Sequence, residues 1–491
     1  MAELIVSRGG EQSALTFEPG ARLADVLRAH GVGLLSPCGG RGVCGKCAVT
    51  LSGQVSPPSP AERRAASRLA CQAILLGDAA VVLPQERAME GIELGGGTLT
   101  PAAPMAGRWG AAADIGTTTI ALNLYDLQTG ACLSRCGMLN PQTAAAADVM
   151  GRIGAAMAGG AERLRAQVTG ALEDLLAQAC AAAGIDAAAV ESMVVTGNTT
   201  MLYLLTGRDP KALSRAPFAA DCLFDEYLPL CARRAYLPPC MHAFVGADIT
   251  CAILASGLCE EKRTALLCDV GTNGEIALWK DGALLVTSTA AGPAFEGAGI
   301  SCGCGSVRGA IDSVSLRGGS LSVHTIGDGP AVGVCGSGLL DAVAAALALG
   351  AVDETGAMEE DCFVLTPDVR LLPRDIRAVQ LAKAAVAAGI DTLMEEAGVR
   401  PEDVEVFFVA GGFGSRLNAA SAAAVGLFPE ALASRARVLG NAALAGAAAL
   451  LLDRGRLERA REIAGLARHV DLGGNPRFNQ HYMDNMLFPE K

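Results

Sequence analysis

Residues able to do chemistry fall into separated groups along the chain. The first is a set of four cysteines with the spacing Cys38-x5-Cys44-x2-Cys47-x23-Cys71. Four thiolates suit a tetrahedral all-sulfur site, either iron–sulfur or zinc. The plant-type 2Fe–2S spacing is C-x4-C-x2-C…C, and this loop carries one residue more. Gly39, Gly40, Gly42 and Gly45 permit the turns that wrap backbone closely round a cluster and aim N–H groups at sulfur. A structural zinc site more often shows two separate C-x2-C knuckles. The loop therefore favours a 2Fe–2S cluster on Cys38, Cys44, Cys47 and Cys71, with zinc as the alternative. Arg41, inside the loop, is either a docking charge or a solvated side chain.

The second group is repeated. "AAADIGTTTIALNLYDLQTGA" (111–131) and "ALLCDVGTNGEIALWKDGALL" (265–285) each read as an apolar strand, Asp-x-Gly-Thr, a second apolar strand and a turn. They begin 154 residues apart, the mark of an internal duplication with two related halves facing each other. Backbone N–H groups and hydroxyls of such hairpins can donate to phosphate oxygens. An Asp at the strand end can hold a hydrated Mg2+ or orient an attacking water. The candidates are Asp114, Gly116, Thr117, Thr118 and Thr119 in the first hairpin, and Asp269, Gly271, Thr272, Asn273 and Gly274 in the second. The pair resembles the phosphate motifs of the superfamily of acetate and sugar kinases, heat-shock chaperone ATPases and actin. That resemblance implies an adenosine-binding turn at "VFFVAGGFGSRLN" (406–418), with Gly411 and Gly412 admitting the nucleoside, and a connecting turn at "VCGSGLLDAV" (334–343), with Gly336 and Ser337 at a helix start. "FVGADIT" (244–250) adds Asp248, either a base or Mg2+ contact or the N-cap of the following helix.

These residues need elements to position them, and the composition can build them. Hydrophobic residues are 51% of the 491 and charged ones 18%, enough for a large core. The net charge of −12 argues against a nucleic-acid partner. The start lacks the basic and apolar regions of a secretory signal. The apolar runs at 339–352 and 441–452 are too short to span a bilayer. With 17 cysteines in such a chain, reduced thiols in a cytoplasmic protein are expected. "ELIVSR" and "SALTF" read as a hairpin, 21–31 as a helix ending at Gly31, and 47–53 and 79–84 as strands. The expected plan is an α+β, β-grasp ferredoxin-type domain over 1–88 and a flexible linker over 89–110. An α/β body of duplicated actin-like, acetate-kinase-like fold comes next, with halves at 111–250 and 251–455 and a C-terminal extension at 456–491.

A ferredoxin-type domain joined to this ATPase fold resembles the reductive activators of corrinoid-dependent enzymes. The resemblance extends to "NPQTAAAADVMGRI" (140–153), "TGNTTMLYLL" (196–205), "GPAFEGAGISCGCGS" (292–306) and "NPRFNQHYMDNMLFP" (475–489). It implies ATP-dependent, one-electron reduction of a client corrinoid protein from Co(II) to Co(I) in a methyltransferase system. The implied cofactors are a 2Fe–2S cluster, ATP and Mg2+. The implied partners are the corrinoid protein and an upstream reductant, with neither nucleic acid nor membrane; the assembly state, a homodimer included, is left open. One departure is expected: Gly110 leads straight into the first phosphate strand, leaving no room for the middle domain of some members. Two other readings compete, a small-molecule kinase with an added iron–sulfur domain and an electron-transfer adaptor whose nucleotide fold serves docking. Cys302 and Cys304 read as a glycine-rich loop rather than a second metal site, and Glu296 beside them faces either a phosphate or the client.

Overall fold

The computed structural model describes residues 1–8, 11–30, 32, 34, 47–65, 67–83, 99–412 and 416–490. Gly9, Gly10, Gly31, Cys38, Gly39, Gly40, Arg41, Gly42, Cys44 and Gly45 lie outside them, as does the stretch 84–98.

The N-terminal unit is built on a mixed sheet. β1 (Ala2–Arg8) pairs antiparallel with β2 (Glu11–Phe17), and α1 (Leu23–Ala29) lays Leu23, Val26 and Leu27 on the core. β3 (Ala48–Val55), α2 (Pro60–Ala65), β4 (Arg68–Leu69) and β5 (Leu75–Val82) complete it, in the strand order β2-β1-β5-β3-β4. Alternating burial along β5 is what a sheet with one face on a helix requires. Both strands expected around the cysteine loop are present; the second starts earlier, at Leu75.

The body is two six-stranded sheets that share the order of five strands, the sixth lying on opposite edges. In the first, β6 (Trp109–Ile115), β7 (Thr119–Asp126) and β8 (Cys132–Leu139) form an antiparallel meander. α3 (Val149–Ala155) and α4 (Ala161–Ala183) come after it. β9 (Val190–Gly197) then lies parallel to β6 and runs on to α5 (Thr199–Thr206). β10 (Glu226–Leu230) and β11 (Arg233–Leu237) close the order β10-β11-β9-β6-β7-β8. α6 (Ala247–Ser256) leaves this half. The second half repeats the plan with β12 (Ala265–Val270), β13 (Gly274–Lys280) and β14 (Ala283–Thr289). An inserted hairpin, β15 (Ala310–Arg317) with β16 (Ser320–Thr325), joins β17 (Gly333–Val334), which runs into α7 (Gly336–Leu349). A small hairpin, β18 (Phe363–Thr366) with β19 (Val369–Leu371), precedes the long α8 (Pro373–Ala397). β20 (Val406–Gly411), α9 (Ala419–Val425), α10 (Glu430–Ala433), β21 (Ala436–Gly440), α11 (Ala442–Leu452), α12 (Arg456–Leu466), β22 (Ala467–His469) and α13 (Pro476–Asp484) complete the chain. The second sheet runs β21-β20-β12-β13-β14-β22.

α6 comes after β11 as α11 comes after β21, and these equivalent helices cross where the halves meet. Their sequences, ADITCAILAS and AALAGAAALLL, are dominated by small side chains. At the crossing a Cβ on Gly446 would stand 2.0 Å from the Cys251 carbonyl oxygen, so glycine alone permits this approach.

Three boundaries differ from the sequence expectation. Residues 99–108 are not linker: Leu99 N–H donates to Gly130 O at 3.1 Å, Met105 N–H donates to Leu451 O at 2.9 Å, and the Met105 side chain is buried. Their Pro/Gly composition reads as a tether, yet extended backbone with one apolar anchor docks on the body as well, and β6 already starts at Trp109. The 250/251 division falls inside α6. Residues 456–490 are integral, because β22 is a parallel edge strand on β14, α13 packs on α8, and Phe488 is buried.

Gly446→Ala is expected to lower stability by about 1–3 kcal/mol, the cost of overpacking, although alanine favours helix. A lowered urea midpoint of the body checks this; a raised midpoint contradicts it.

Candidate functional site

The cysteine site is built from two short pieces of sheet. β3 pairs with β4 through Ala48↔Leu69, and Cys47 O accepts from Ala70 N–H at 2.9 Å, so Cys47 and Cys71 leave this ladder side by side. Both are buried in the core of the unit. Gln72 Nε2 donates to Cys71 Sγ at 3.7 Å, the kind of contact that tunes a thiolate ligand. Glu62 fixes the segment. Its carboxylate accepts from Ser59 N–H at 2.7 Å, Leu69 N–H at 3.0 Å and Arg68 Nε at 2.8 Å. Burial by itself would raise the Glu62 carboxyl, but the Arg68, Ser59 and Leu69 donors outweigh it and hold it below the usual range. Two buried cysteines at the end of one ladder, with an amide donor at one sulfur, suit ligands of an iron–sulfur centre.

The second site lies where the two hairpins meet. Asp114 ends β6, Asp269 ends β12, and Asp248 sits in the first turn of α6. Gly246, not Asp248, is the N-cap of α6, which resolves that choice against capping. Glycine is required at 116, because a Cβ there would lie 2.7 Å from Thr119 O across the turn. At Gly411, φ is +109° and a Cβ would lie 2.3 Å from Val270 O and 2.7 Å from Asp269 Oδ1, so β20 comes flush against the second Asp. Gly412 N–H donates to Val270 O at 3.3 Å. Gly271 N–H donates to Asn273 O at 2.8 Å, and Gly274 opens β13 opposite Val270. Ser337 is buried in the first turn of α7 behind Gly336, and its hydroxyl donates to Asp312 O at 2.9 Å on β15.

Glu296 joins the hairpins. Its Oε2 accepts from Thr118 Oγ1 at 2.6 Å and from Thr272 Oγ1, and the two threonine oxygens are 3.2 Å apart. Several groups that positional reasoning does not single out brace the first hairpin. Asn140 Nδ2 donates to Gly116 O at 2.8 Å, Asn140 N–H to Thr118 O at 2.8 Å, and Asn198 Nδ2 to Thr117 Oγ1 at 3.2 Å. Arg152, fully buried, donates from Nη2 to Thr117 O and from Nη1 to Gln142 Oε1 at 3.3 Å. From the other half, Asn441 Nδ2 donates to Asp114 Oδ2 at 2.9 Å. The signals available for them in the sequence are the Asn-Pro-Gln run at 140–142, the Gly-Asn-Thr-Thr run at 197–200 and the Asn preceding α11.

The electrostatics are one-sided. Desolvation pushes Asp114 up to about 6, eased by the Asn441 hydrogen bond. Desolvation, then the charges of Asp114 and Glu296, push Asp269 up to about 7. Asp248 is raised by desolvation and by both aspartates, Glu275 by desolvation and by Asp248 and Asp269, and Glu296 by desolvation. Arg152 is the cation whose charge favours ionised Glu296, and burial lowers its own value to about 10. Carboxylates that repel one another in a low-dielectric cleft fit a divalent cation.

These shifts make stability depend on pH. Unfolded, the aspartates release protons near their ordinary 3.8; folded, Asp114 and Asp269 hold them to about 6 and 7. Between those values the unfolded chain binds fewer protons, so stability of the ligand-free protein falls as pH rises. Asp269→Asn is expected to be more stable than the unaltered chain at pH 8 by about 1–2 kcal/mol, discounted for solvent in the open cleft. The gap should narrow at pH 5 in urea unfolding; an equal gap at both contradicts this.

Comparison with known proteins agrees with this domain architecture. A family model described as the C-terminal domain of RACo, the ASKHA domain, matches residues 263–491, and one for the RACo middle region matches 109–261. A 2Fe–2S iron–sulfur cluster binding domain model matches 8–76. The corrinoid activation enzyme RamQ of Eubacterium limosum is 33% identical over 418 residues, 77% of this chain and 70% of that protein. The Co(II) methylated amine-specific corrinoid protein reductase of Methanosarcina barkeri is 27% identical over 423 residues, 77% of each. A solved reductive activator for corrinoid, iron–sulfur protein superposes with a TM-score of 0.74 at 26% identity, covering 100% of this chain and 98% of its own. The segment that the middle-region model matches, 109–261, is the first half of the body with its phosphate hairpin, and Gly110 lies in β6 and leads straight into that hairpin as expected. An iron–sulfur domain and an ASKHA body thus stand in one chain, and the chain belongs to the RACo family of reductive activators.

Proposed function

We propose that this protein restores a corrinoid protein from Co(II) to Co(I), passing one electron from its iron–sulfur centre to the client's cobalt with ATP bound in the cleft. The observation carrying this reading is the junction of paired Asp-Gly-Thr hairpins with a cysteine domain, in a chain 33% identical to a corrinoid activation enzyme. Cys38, Cys44, Cys47 and Cys71 would hold the centre, which when bound supplies a one-electron store. Gln72 donates to one ligand sulfur, and Glu62 keeps that ligand's segment in place. An upstream reductant replaces the electron that leaves.

In the cleft, Thr117, Thr118, Thr272 and the turn amides would donate to the phosphate chain. Gly411 and Gly412 would admit the nucleoside. Asp114, Asp248 and Asp269 would hold Mg2+ through water, relieving their mutual repulsion. Asn441 already ties Asp114 to the head of α11, so drawing the hairpins together bears on the α6–α11 crossing. A plant-type 2Fe–2S couple lies at about −400 mV. For one electron each ~59 mV uphill is tenfold, so a deficit of about 120 mV asks about 3 kcal/mol of the nucleotide-bound complex.

Mixing the reduced protein with a Co(II) corrinoid protein tests this. Co(I) absorption should appear with Mg·ATP and not without it. Asp269→Ala should remove the nucleotide effect and keep the cluster spectrum; Cys44→Ala should lose the cluster and keep nucleotide binding. Co(I) appearing equally without ATP overturns the proposal.

A further inference from the structure

Glu296 occupies an unusual place in the cleft. Both threonine hydroxyls that bind it, Thr118 on one half and Thr272 on the other, spend their single proton on the same oxygen, Oε2. A Cβ on Gly271 would lie 3.7 Å from Oε1 and one on Gly412 3.9 Å from Cγ, so the carboxylate rests on the second hairpin and beside the β20 turn. Arg152 faces it with a buried positive charge. The side chain is therefore a clasp between the halves, lying where donors for a phosphate chain converge.

The segment after Glu296 has no slack. Gly297 has φ +76°, and a Cβ there would lie 2.4 Å from Cys304 O and 2.6 Å from Cys304 N. Cys304 N–H donates to Val334 O at 2.9 Å, and Val334 N–H donates to Cys302 O at 2.8 Å. Those bonds clip the loop to β17 at the head of α7. On its far side Ser301 donates from its N–H at 2.8 Å and its Oγ at 2.9 Å to the buried Asp375 of α8. Within the loop, Gly299 is exposed, and Ser301, Cys302 and Cys304 keep part of their surface open.

We propose that Glu296 is the positioning residue that reports nucleotide to the surface loop 297–306. The inference rests on reading the cleft as the ATP site. Without nucleotide, Glu296 holds Thr118 and Thr272. A phosphate chain seated between the hairpins needs the same two protons and brings negative charge against the carboxylate, so both cannot be held at once. Glu296 lets go, and because Gly297 is locked against Cys304, the loop and the head of α7 shift with it. The two arrangements are discrete: hydroxyls on carboxylate, or hydroxyls on phosphate.

The test compares the full-length protein with Glu296→Ala, reading Mg·ATP affinity by calorimetry and amide exchange across 297–306. In the unaltered protein Mg·ATP should change exchange in the loop by about threefold or more. In Glu296→Ala, Mg·ATP should bind as tightly or up to about tenfold more tightly, and the loop should no longer respond. Glu296→Gln, which keeps the shape and an acceptor oxygen, should retain a reduced response and guards against a folding defect. Weaker Mg·ATP binding by Glu296→Ala makes Glu296 part of the ligand site and overturns the proposal. An equal loop response in both proteins overturns it too while leaving the ATP site intact. No Mg·ATP binding by the unaltered protein instead overturns the ATP reading beneath it.

Discussion

Carboxylates placed close together in a desolvated cleft repel, and each must take up a proton or find a cation. Asp114, Asp248, Asp269, Glu275 and Glu296 are in that position, drawn from β6, α6, β12, β13 and the turn after β14. They meet because duplicated hairpins face each other across a close helix crossing. Asn140 and Arg152 then fix the first hairpin's backbone and Asn198 holds its Thr117 hydroxyl, so the acids have little freedom to move apart. Charge held together by rigid scaffold is an unstable arrangement that a bound cation and nucleotide would stabilise.

Glu62 in the cysteine domain shows the opposite solution with the same functional group. It too is buried, yet two amides and Arg68 donate to it and it stays ionised. Its role is to be a fixed part of the frame behind Cys71. Two of the cleft acids are satisfied differently: Glu296 takes Thr118 and Thr272 on one oxygen, and Asp114 draws on Asn441 from the opposite half. A carboxylate satisfied locally serves as structure, and one satisfied across a joint is available for a switch.

The same distinction explains which features are legible in the chain. The β1–β2 hairpin, the cysteine-flanking strands and both Asp-Gly-Thr hairpins depend on contacts close in sequence, and their periodicity and glycines are visible there. Asp114 and Asp269 stand out for that reason. Asn441 does not, because its partner is 327 residues away. Arg152 reads as an ordinary helix arginine until Thr117 O is found beside it. Glu296 is conspicuous in its loop but its partners are not, since Thr118 is 178 residues distant. The body-docked 99–108 and the integral C-terminal segment are misread as linker and extension for a related reason: composition registers local preference, and the anchors at Leu451 and on α8 lie far along the chain.

Unpaired negative charge at the joint of the two halves is, in this account, what Mg·ATP answers. Thermal unfolding of the full-length protein in ATP with Mg2+, and in ATP with chelator, measures this most directly. A raised midpoint for the body is expected with Mg·ATP, and little or none with metal-free ATP, which adds negative charge to negative. Equal protection by metal-free ATP, or no protection by Mg·ATP, would contradict it.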